Sequence, residues 1–535
     1  MGFKKVPAAI ALALTLIIWF IPAPEGVSNN AWHLLALFVG IIAGIIGKAL
    51  PIGAMAMLAF TIVALTQVTV VPPKKEAPPA AAAQATDKAA QPATASAPVA
   101  TKAEAASALA APKAEAKPAK KPKAPHVQAA NDALSSLNSS LIWMIGIAIM
   151  LSRGILKTGL GTRLGYLFLS LFGKNTLGIA YSLAACDFLI APVTPSNTAR
   201  GGAIVHPIMK AISASFGSDP EQGTQNKLGR YLSLVNFHAN VISCIIFVTA
   251  TAPNPLVVNL IAEATGNEVH LSWTTWFLAM VVPGLIAMAI MPIVLFYLYK
   301  PEVIKTPDAP AMASEKLKEM GAMSKGEKIM LAILGLLLLL WAGATDALFG
   351  IKIDATTTTL LGLSLALLSG VLTWDDVLKE KGAWDTVIWF AALVMMADFL
   401  NKLGFIKWFS NLMGSNIQSM GLSWQAACAI LTVVYILVHY MFASGTAHVT
   451  AMLAAFYTVG LSLGAPPMLF ALILASATGI MFGLTHYATG TAPVIYNSGY
   501  TTMGEWWIAG LVMCVVNMAI FYTIGLVWWK VLGYW

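Results

Sequence analysis

Thr194-Pro195-Ser196-Asn197-Thr198-Ala199-Arg200-Gly201-Gly202 lies between two apolar segments, and the rest of the chain is built around it. Far downstream, Ala443-Ser444-Gly445-Thr446-Ala447-His448-Val449-Thr450 occupies the same setting. A single offset lays Ser196 on Ser444, Thr198 on Thr446, Ala199 on Ala447 and Arg200 on His448. A hydroxyl-rich turn followed by a basic residue is therefore present twice.

Outside these turns the chain is strongly apolar. Of 535 residues, 58% are hydrophobic and 10% charged, and the mean hydropathy is +0.75. A soluble domain carries about 25% charged residues, so the fold class read here is an all-α polytopic membrane protein. The formal charge of +8 does not mark a nucleic-acid partner, because much of it lies in one linker and in short loops between apolar segments. Cys186, Cys244, Cys428 and Cys514 are scattered through apolar stretches without metal or disulfide spacing and read as packing residues.

In lipid every backbone N–H and C=O needs a partner, so a Pro- and Gly-containing break is tolerated only inside the protein or beside a water-filled cavity. A helix that starts at such a break presents free N–H groups and the positive end of its dipole, a setting suited to an anion. Two such breaks in corresponding places of two halves point to a transporter's substrate site.

Taken in order, residues 1–71 read as scaffold helices near Pro7 to Ile21, Trp32 to Ala49 and Ile52 to Val71. Residues 72–136 read as an Ala-, Pro- and Lys-rich disordered linker, since they hold too little apolar surface to offset ordering entropy; a short Ala-rich helix from Lys102 to Ala111 is the exception considered. Residues 137–299 form a first repeat, with apolar runs at Leu141 to Leu151 and Leu164 to Phe172 and a hairpin whose tip is 194–202. Neither arm of that hairpin reads as a full span, which favours a re-entrant element. A second break follows at Thr249-Ala250-Thr251-Ala252-Pro253-Asn254, and Trp273 to Tyr299 ends the half.

Residues 300–328, with six lysines, form a cytoplasmic loop. Residues 329–535 repeat the order: spans, a hairpin with its tip at 443–450, then Thr489-Gly490-Thr491-Ala492-Pro493-Val494, an echo of the break at 249–254. Inverted repeats fit this order best. The bias of Lys and Arg in short loops puts Lys4, Lys5, Lys48, Arg153, Lys157, Arg163, Lys379 and Lys381 on the cytoplasmic side. The N-terminus is then cytoplasmic and the linker external. Trp506, Trp507, Trp528 and Trp529 read as anchors at the membrane interface.

An ionisable side chain at bilayer depth costs roughly 2.5–3.5 kcal/mol even on a lenient scale. Arg200 and His448 are thus read as cations of a pocket for a small molecule with two carboxylates; the bland reading pairs Arg200 with Asp187 and satisfies His448 with a carbonyl. Ser196, Asn197, Thr198, Ser444 and Thr446 offer donors at the turns, with Gly445 between the last two. Thr251, Asn254, Thr489 and Thr491 complete the candidate set from the other breaks. Asp187, Asp398, His238, His439 and His486 are weaker candidates.

At these residues the sequence resembles the divalent-anion/sodium symporters, and within them the exchangers of citrate, succinate, tartrate, malate and 2-oxoglutarate. The resemblance rests on Ala191 to Arg200, on Phe442 to His448 and on the two Thr-Ala-Pro breaks. It implies about 11 transmembrane helices plus two re-entrant hairpins, a homodimer with scaffold and transport domains, elevator-type motion and a place in the inner membrane. In the family such turns hold substrate carboxylates, and in sodium-coupled members their backbones help hold sodium. Here the first turn keeps Ser196-Asn197-Thr198, but Gly445 replaces the Asn of the second. With fixed positive charge at Arg200 and His448, the expectation is exchange of one di- or tricarboxylate for another, with no cofactor and no sodium requirement. The alternative is a sodium-coupled dicarboxylate symporter. No His-Glu-x-x-His or Gly-x-Ser-Gly motif suggests an intramembrane enzyme, and a channel is the remaining rival.

Overall fold

The computed structural model describes residues 3–70, 124–418, 422–442 and 444–535. Within them the chain is helical, with no strand and a single isolated β-bridge between Asn175 and Lys305. It opens with α1 (Lys5–Phe20), α2 (Asn29–Ile46) and α3 (Ile52–Thr66), then α4 (Pro125–Ala133), α5 (Ser140–Thr158) and α6 (Leu160–Phe172). The first broken unit is α7 (Thr176–Ile190), a tight turn at Ala191–Val193, a π-wound stretch Thr198–Val205 and α8 (His206–Ser215). After it come α9 (Gly229–Ile246), α10 (Pro253–Ala264) and α11 (Trp273–Leu298).

The second half contains α12 (Ala309–Glu319), α13 (Lys325–Trp341), α14 (Ala344–Phe349), α15 (Ala355–Leu368), α16 (Trp374–Lys379), α17 (Lys381–Lys402) and α18 (Phe405–Gln418). The second broken unit is α19 (Trp424–Val438), a turn at His439–Met441 and α20 (Gly445–Ser462). Then follow α21 (Pro467–Met481), α22 (Thr491–Tyr496), α23 (Met503–Ile520) and α24 (Leu526–Val531). Seven helical stretches among the described residues are long and apolar enough to cross a membrane, and five shorter apolar helices accompany them. Two of the seven, Thr176–Val193 and Trp424–Met441, are the leading arms of the broken units; the first is longer than the sequence reading allowed.

Most of the linker reading, including Lys102 to Ala111, lies outside the described residues, as does Ala443. The linker's last part is corrected: residues 125–133 form α4, which buries Ala129 and Ala133 and packs on α3. Pro125 pre-sets the first turn of this helix, and its small apolar face is enough to dock it.

The apolar run Leu164 to Phe172 lies in a short helix. Its helix, α6, has 13 residues, about 20 Å at 1.5 Å per residue, well short of a hydrocarbon core of about 30 Å. Both its ends are tied to the 300–328 loop. Arg163 donates to Glu327 (2.5 Å) and to the Gly321 carbonyl (2.9 Å) at one end, and Thr306 donates to the Gly173 carbonyl (2.7 Å) at the other. With α12 packed along it, α6 lies beside the loop that the lysines mark.

Several of the basic residues used for orientation are held by local contacts. The Lys4 N–H donates to the Ala49 carbonyl (2.9 Å), Lys157 pairs with Asp376 (2.5 Å), and Arg163 pairs with Glu327. Outside the spans, the Lys157 ammonium together with the Thr373 backbone N–H holds the Asp376 carboxyl well below the usual carboxylate range.

Trp506 and Trp529 are fully buried rather than interfacial. The Trp529 indole donates to the Ala279 carbonyl of α11 (2.8 Å), and Trp507 is engaged by His486. At the centre stands α9, in which every residue but Arg230 is buried. A helix buried all round yet carrying Ser233, Asn236, His238, Asn240 and Ser243 has to place polar groups against other backbone. Asn236 and Asn240 do so against the first polar turn.

Candidate functional site

Pro192 ends the α7 winding, and from there the chain turns back on itself. The Ser196 hydroxyl accepts the Ala199 N–H (3.2 Å), a cap that starts the helix after the break. From α9, the Asn240 side chain donates to the Asn197 carbonyl (3.3 Å) and to Asp187 (3.0 Å), and Asn236 donates to the Gly201 carbonyl (3.3 Å). A Cβ at Gly201 would come within 2.8 Å of the Asn240 amide and 3.0 Å of Thr491. Only glycine lets the turn sit this close to its support.

The second turn repeats the cap: Ser444 accepts the Ala447 N–H (3.4 Å), and α20 begins at Gly445. At the other breaks, α10 starts at Pro253 and Thr489 accepts the Ala492 N–H (3.4 Å). Helix starts thus converge from the Thr198 stretch, α10 and α20.

They converge on one cavity of about 610 Å³. Of the residues expected from sequence, Ser196, Asn197, Thr251, Ser444, Gly445, Thr446 and Thr489 line it. Thr198, Arg200, Asn254, His448 and Thr491 do not.

The reading of Arg200 and His448 as pocket cations is corrected. Arg200 is fully buried and points the other way: its Nε donates to Asp187 (3.0 Å), one terminal nitrogen to the Thr194 (2.8 Å) and Ala250 (3.0 Å) carbonyls, the other to the Cys244 sulfur (3.3 Å). The guanidinium fork with five donors fits this cage, and it joins the first turn to the break after α9. The bland alternative, pairing with Asp187, is the one observed.

His448 is also fully buried, with its Nδ1 3.1 Å from Nδ1 of His439 and its ring packed on Tyr435 and Phe442. Asn254 is a structural cap, donating to the Cys244 (2.6 Å) and Phe247 (3.1 Å) carbonyls where α9 unwinds. Thr491 is buried behind the cavity wall and packs against Gly201.

Sequence reasoning missed several lining groups, Lys48, Thr386 and Tyr487 among them, and undervalued His486. Lys48 sits in the turn between α2 and α3 with a left-handed backbone (φ 53), lines the cavity, and has no ion pair among the described residues. In the sequence it served only to orient the chain; nothing local aims it inward. Thr386 of α17 lines the cavity too. His486 was the undervalued residue; it lines the cavity beside Tyr487 while its Nδ1 accepts the Trp507 indole N–H (3.1 Å).

A sequence model of the sodium:sulfate symporter transmembrane region matches residues 4–535. The chain belongs to this divalent-anion/sodium symporter family. It is therefore a membrane transporter, not an enzyme. It is 44% identical over 534 residues to the putative malate transporter YflS of Bacillus subtilis, covering 99% of this chain and 97% of that one. To the chloroplastic dicarboxylate transporter 1 of Arabidopsis thaliana it is 40% identical, covering 100% and 84%. The crystal structure of the Alcanivorax borkumensis YdaH transporter shares the fold at a TM-score of 0.50 and 13% identity, over 74% of this chain and 86% of that one.

Proposed function

We propose that this family member carries small dicarboxylates through the cavity at the two polar turns, exchanging one for another. The observation that carries the reading is the convergence of Ser196, Asn197, Ser444, Gly445 and Thr446 on one cavity beside three helix starts and Lys48. Helix N-termini and hydroxyls favour carboxylates, and two matched turns supply two such poles. The relatives named as malate and dicarboxylate transporters support the substrate class.

In this reading the broken units are re-entrant hairpins, the chain works as a homodimer with moving and fixed parts, and the lysine-rich end faces the cytoplasm. Exchange follows from charge: no carboxylate lines the cavity among the described residues, and Lys48 offers a fixed positive charge that a dianion can neutralise. Arg200 no longer enters, since Asp187 already balances it.

The test is counterflow in vesicles containing the purified chain. External labelled malate is expected to enter only when an internal dicarboxylate is present, at the same rate with sodium or choline outside. Entry into empty vesicles driven by a sodium gradient would replace this reading with sodium symport, which the family's description favours.

The Asn197 side chain, which has no protein partner among the described residues, is expected to contact a carboxylate. A hydrogen bond to a charged group is worth about 1.5–3 kcal/mol, so Asn197→Ala should lower transport efficiency about 10- to 100-fold without moving the thermal midpoint. Unchanged uptake would remove Asn197 from the site.

A further inference from the structure

His486 lies in the segment between α21 and α22, and three surroundings fix it. Its ring packs on Tyr496 (centroids 4.6 Å) and Tyr487 (5.0 Å), and stacks with Trp507 (6.3 Å). The Trp507 indole has an N–H and no lone pair to offer, so in the 3.1 Å contact Trp507 must donate and His486 Nδ1 must accept. A neutral imidazole whose Nδ1 accepts carries its proton on Nε2. No protein atom among the described residues takes that Nε2–H, and the residue lines the cavity. The neighbouring Tyr487 hydroxyl is already committed, donating to the Tyr440 carbonyl (2.8 Å).

We propose that His486, held by Trp507 as the Nε2–H tautomer, is a substrate-contacting donor of the transport site, with Trp507 its positioning residue. This inference rests on the cavity being the dicarboxylate site. It adds a donor from outside both polar turns, fixed in direction and uncharged. An uncharged donor takes a carboxylate, keto or hydroxyl oxygen without adding to the charge that must cross the membrane.

The lock has a consequence for pH. Protonating Nδ1 would turn two donors, the imidazolium N–H and the indole N–H, against each other. The titratable groups around His486 are the phenols of Tyr487 and Tyr496 and, elsewhere in the cavity wall, the Lys48 ammonium; no carboxylate lines the cavity among the described residues to draw a proton in. His486 thus stays neutral while Trp507 is present. In Trp507→Phe the ring is free to take a proton, below the ordinary imidazole range of about 6.5 because burial disfavours the cation, and the cation formed attracts the dianion.

Three variants test this in counterflow, with a dicarboxylate ionised throughout the pH range used. His486→Phe keeps the ring packing and loses the donor; KM is expected to rise about 10- to 100-fold with the maximal rate nearly kept. His486→Gln retains an N–H at similar reach and should recover most of the loss. Trp507→Phe should make KM fall as pH is lowered below about 6.5, where the parent profile is flat. Thermal unfolding in detergent separates misfolding from loss of contact; for an unstable His486→Phe, the Trp507→Phe pH profile decides. An unchanged KM in a folded His486→Phe, or a Trp507→Phe profile matching the parent, would overturn the proposal while leaving dicarboxylate exchange standing. Absence of dicarboxylate exchange in the parent itself would instead remove the reading on which it rests.

Discussion

Arg200→Ala is expected to unfold much of the protein rather than merely silence it. The substitution leaves the Asp187 carboxylate at zero exposure without its cation, together with the Thr194 and Ala250 carbonyls that the guanidinium served. Breaking a buried pair from one side costs about 3–5 kcal/mol, against a total stability of roughly 5–15 kcal/mol for a folded domain. Thermal unfolding in detergent should show a large drop in midpoint and yield.

The double variant Asp187→Asn with Arg200→Met distinguishes charge from shape. It removes both charges, keeps volume, and leaves an amide oxygen in place of the Asp187 carboxylate to accept from Asn240 as the carboxylate does now. Recovery of a good part of the lost stability is expected, because replacing a whole buried ion pair with neutral groups of similar size is often close to neutral. If Arg200→Ala were instead stable and defective only in KM, Arg200 would face substrate in the working protein and its structural assignment here would be wrong.

Gly445→Asn should be the most damaging single change at the second turn, although it restores the residue that the resembling family carries there. A Cβ at Gly445 would come within 2.2 Å of Cε1 at the edge of the Phe482 ring, which is itself buried and part of the cavity wall. Overpacking of this kind costs about 1–3 kcal/mol, and a turn displaced by about 1 Å can lose 100-fold in rate through misplaced contacts. Transport is expected to fall by about that factor.

Phe482→Ala opens the space that the introduced asparagine side chain needs. Combining the two substitutions should return more activity than either variant alone, giving a coupling energy of about 0.5–3 kcal/mol in a double-mutant cycle. Additive losses would mean that the two side chains do not share the space. The Gly445 departure from the family pattern therefore has a steric counterpart in this chain: the edge of an aromatic ring stands against the place a Cβ would take.

Much was legible in the amino-acid sequence. Charge content and apolar runs pointed to the membrane class, because lipid admits few charges whatever the fold. The offset between Ser196-Asn197-Thr198 and Ser444-Gly445-Thr446 picked out the two turns, since a helix break at depth needs a recognisable set of small and hydroxyl residues. Those turns do meet at one cavity.

Direction was not legible. Arg200 and His448 occupy matching positions, yet each leans behind its turn, one to Asp187 and the other to His439. A side chain chooses between cavity and core by what lies behind it, and Asp187, Cys244 and Ala250 reach Arg200 from three separate segments.

Which segments are apolar and where the paired breaks fall could be read from the chain alone, because both follow from local composition and backbone chemistry. Which polar groups face the cavity was set by the packed molecule. Lys48, Thr386 and His486 reach it from segments remote from both turns, and such proximity arises from packing between helices, which no local pattern encodes.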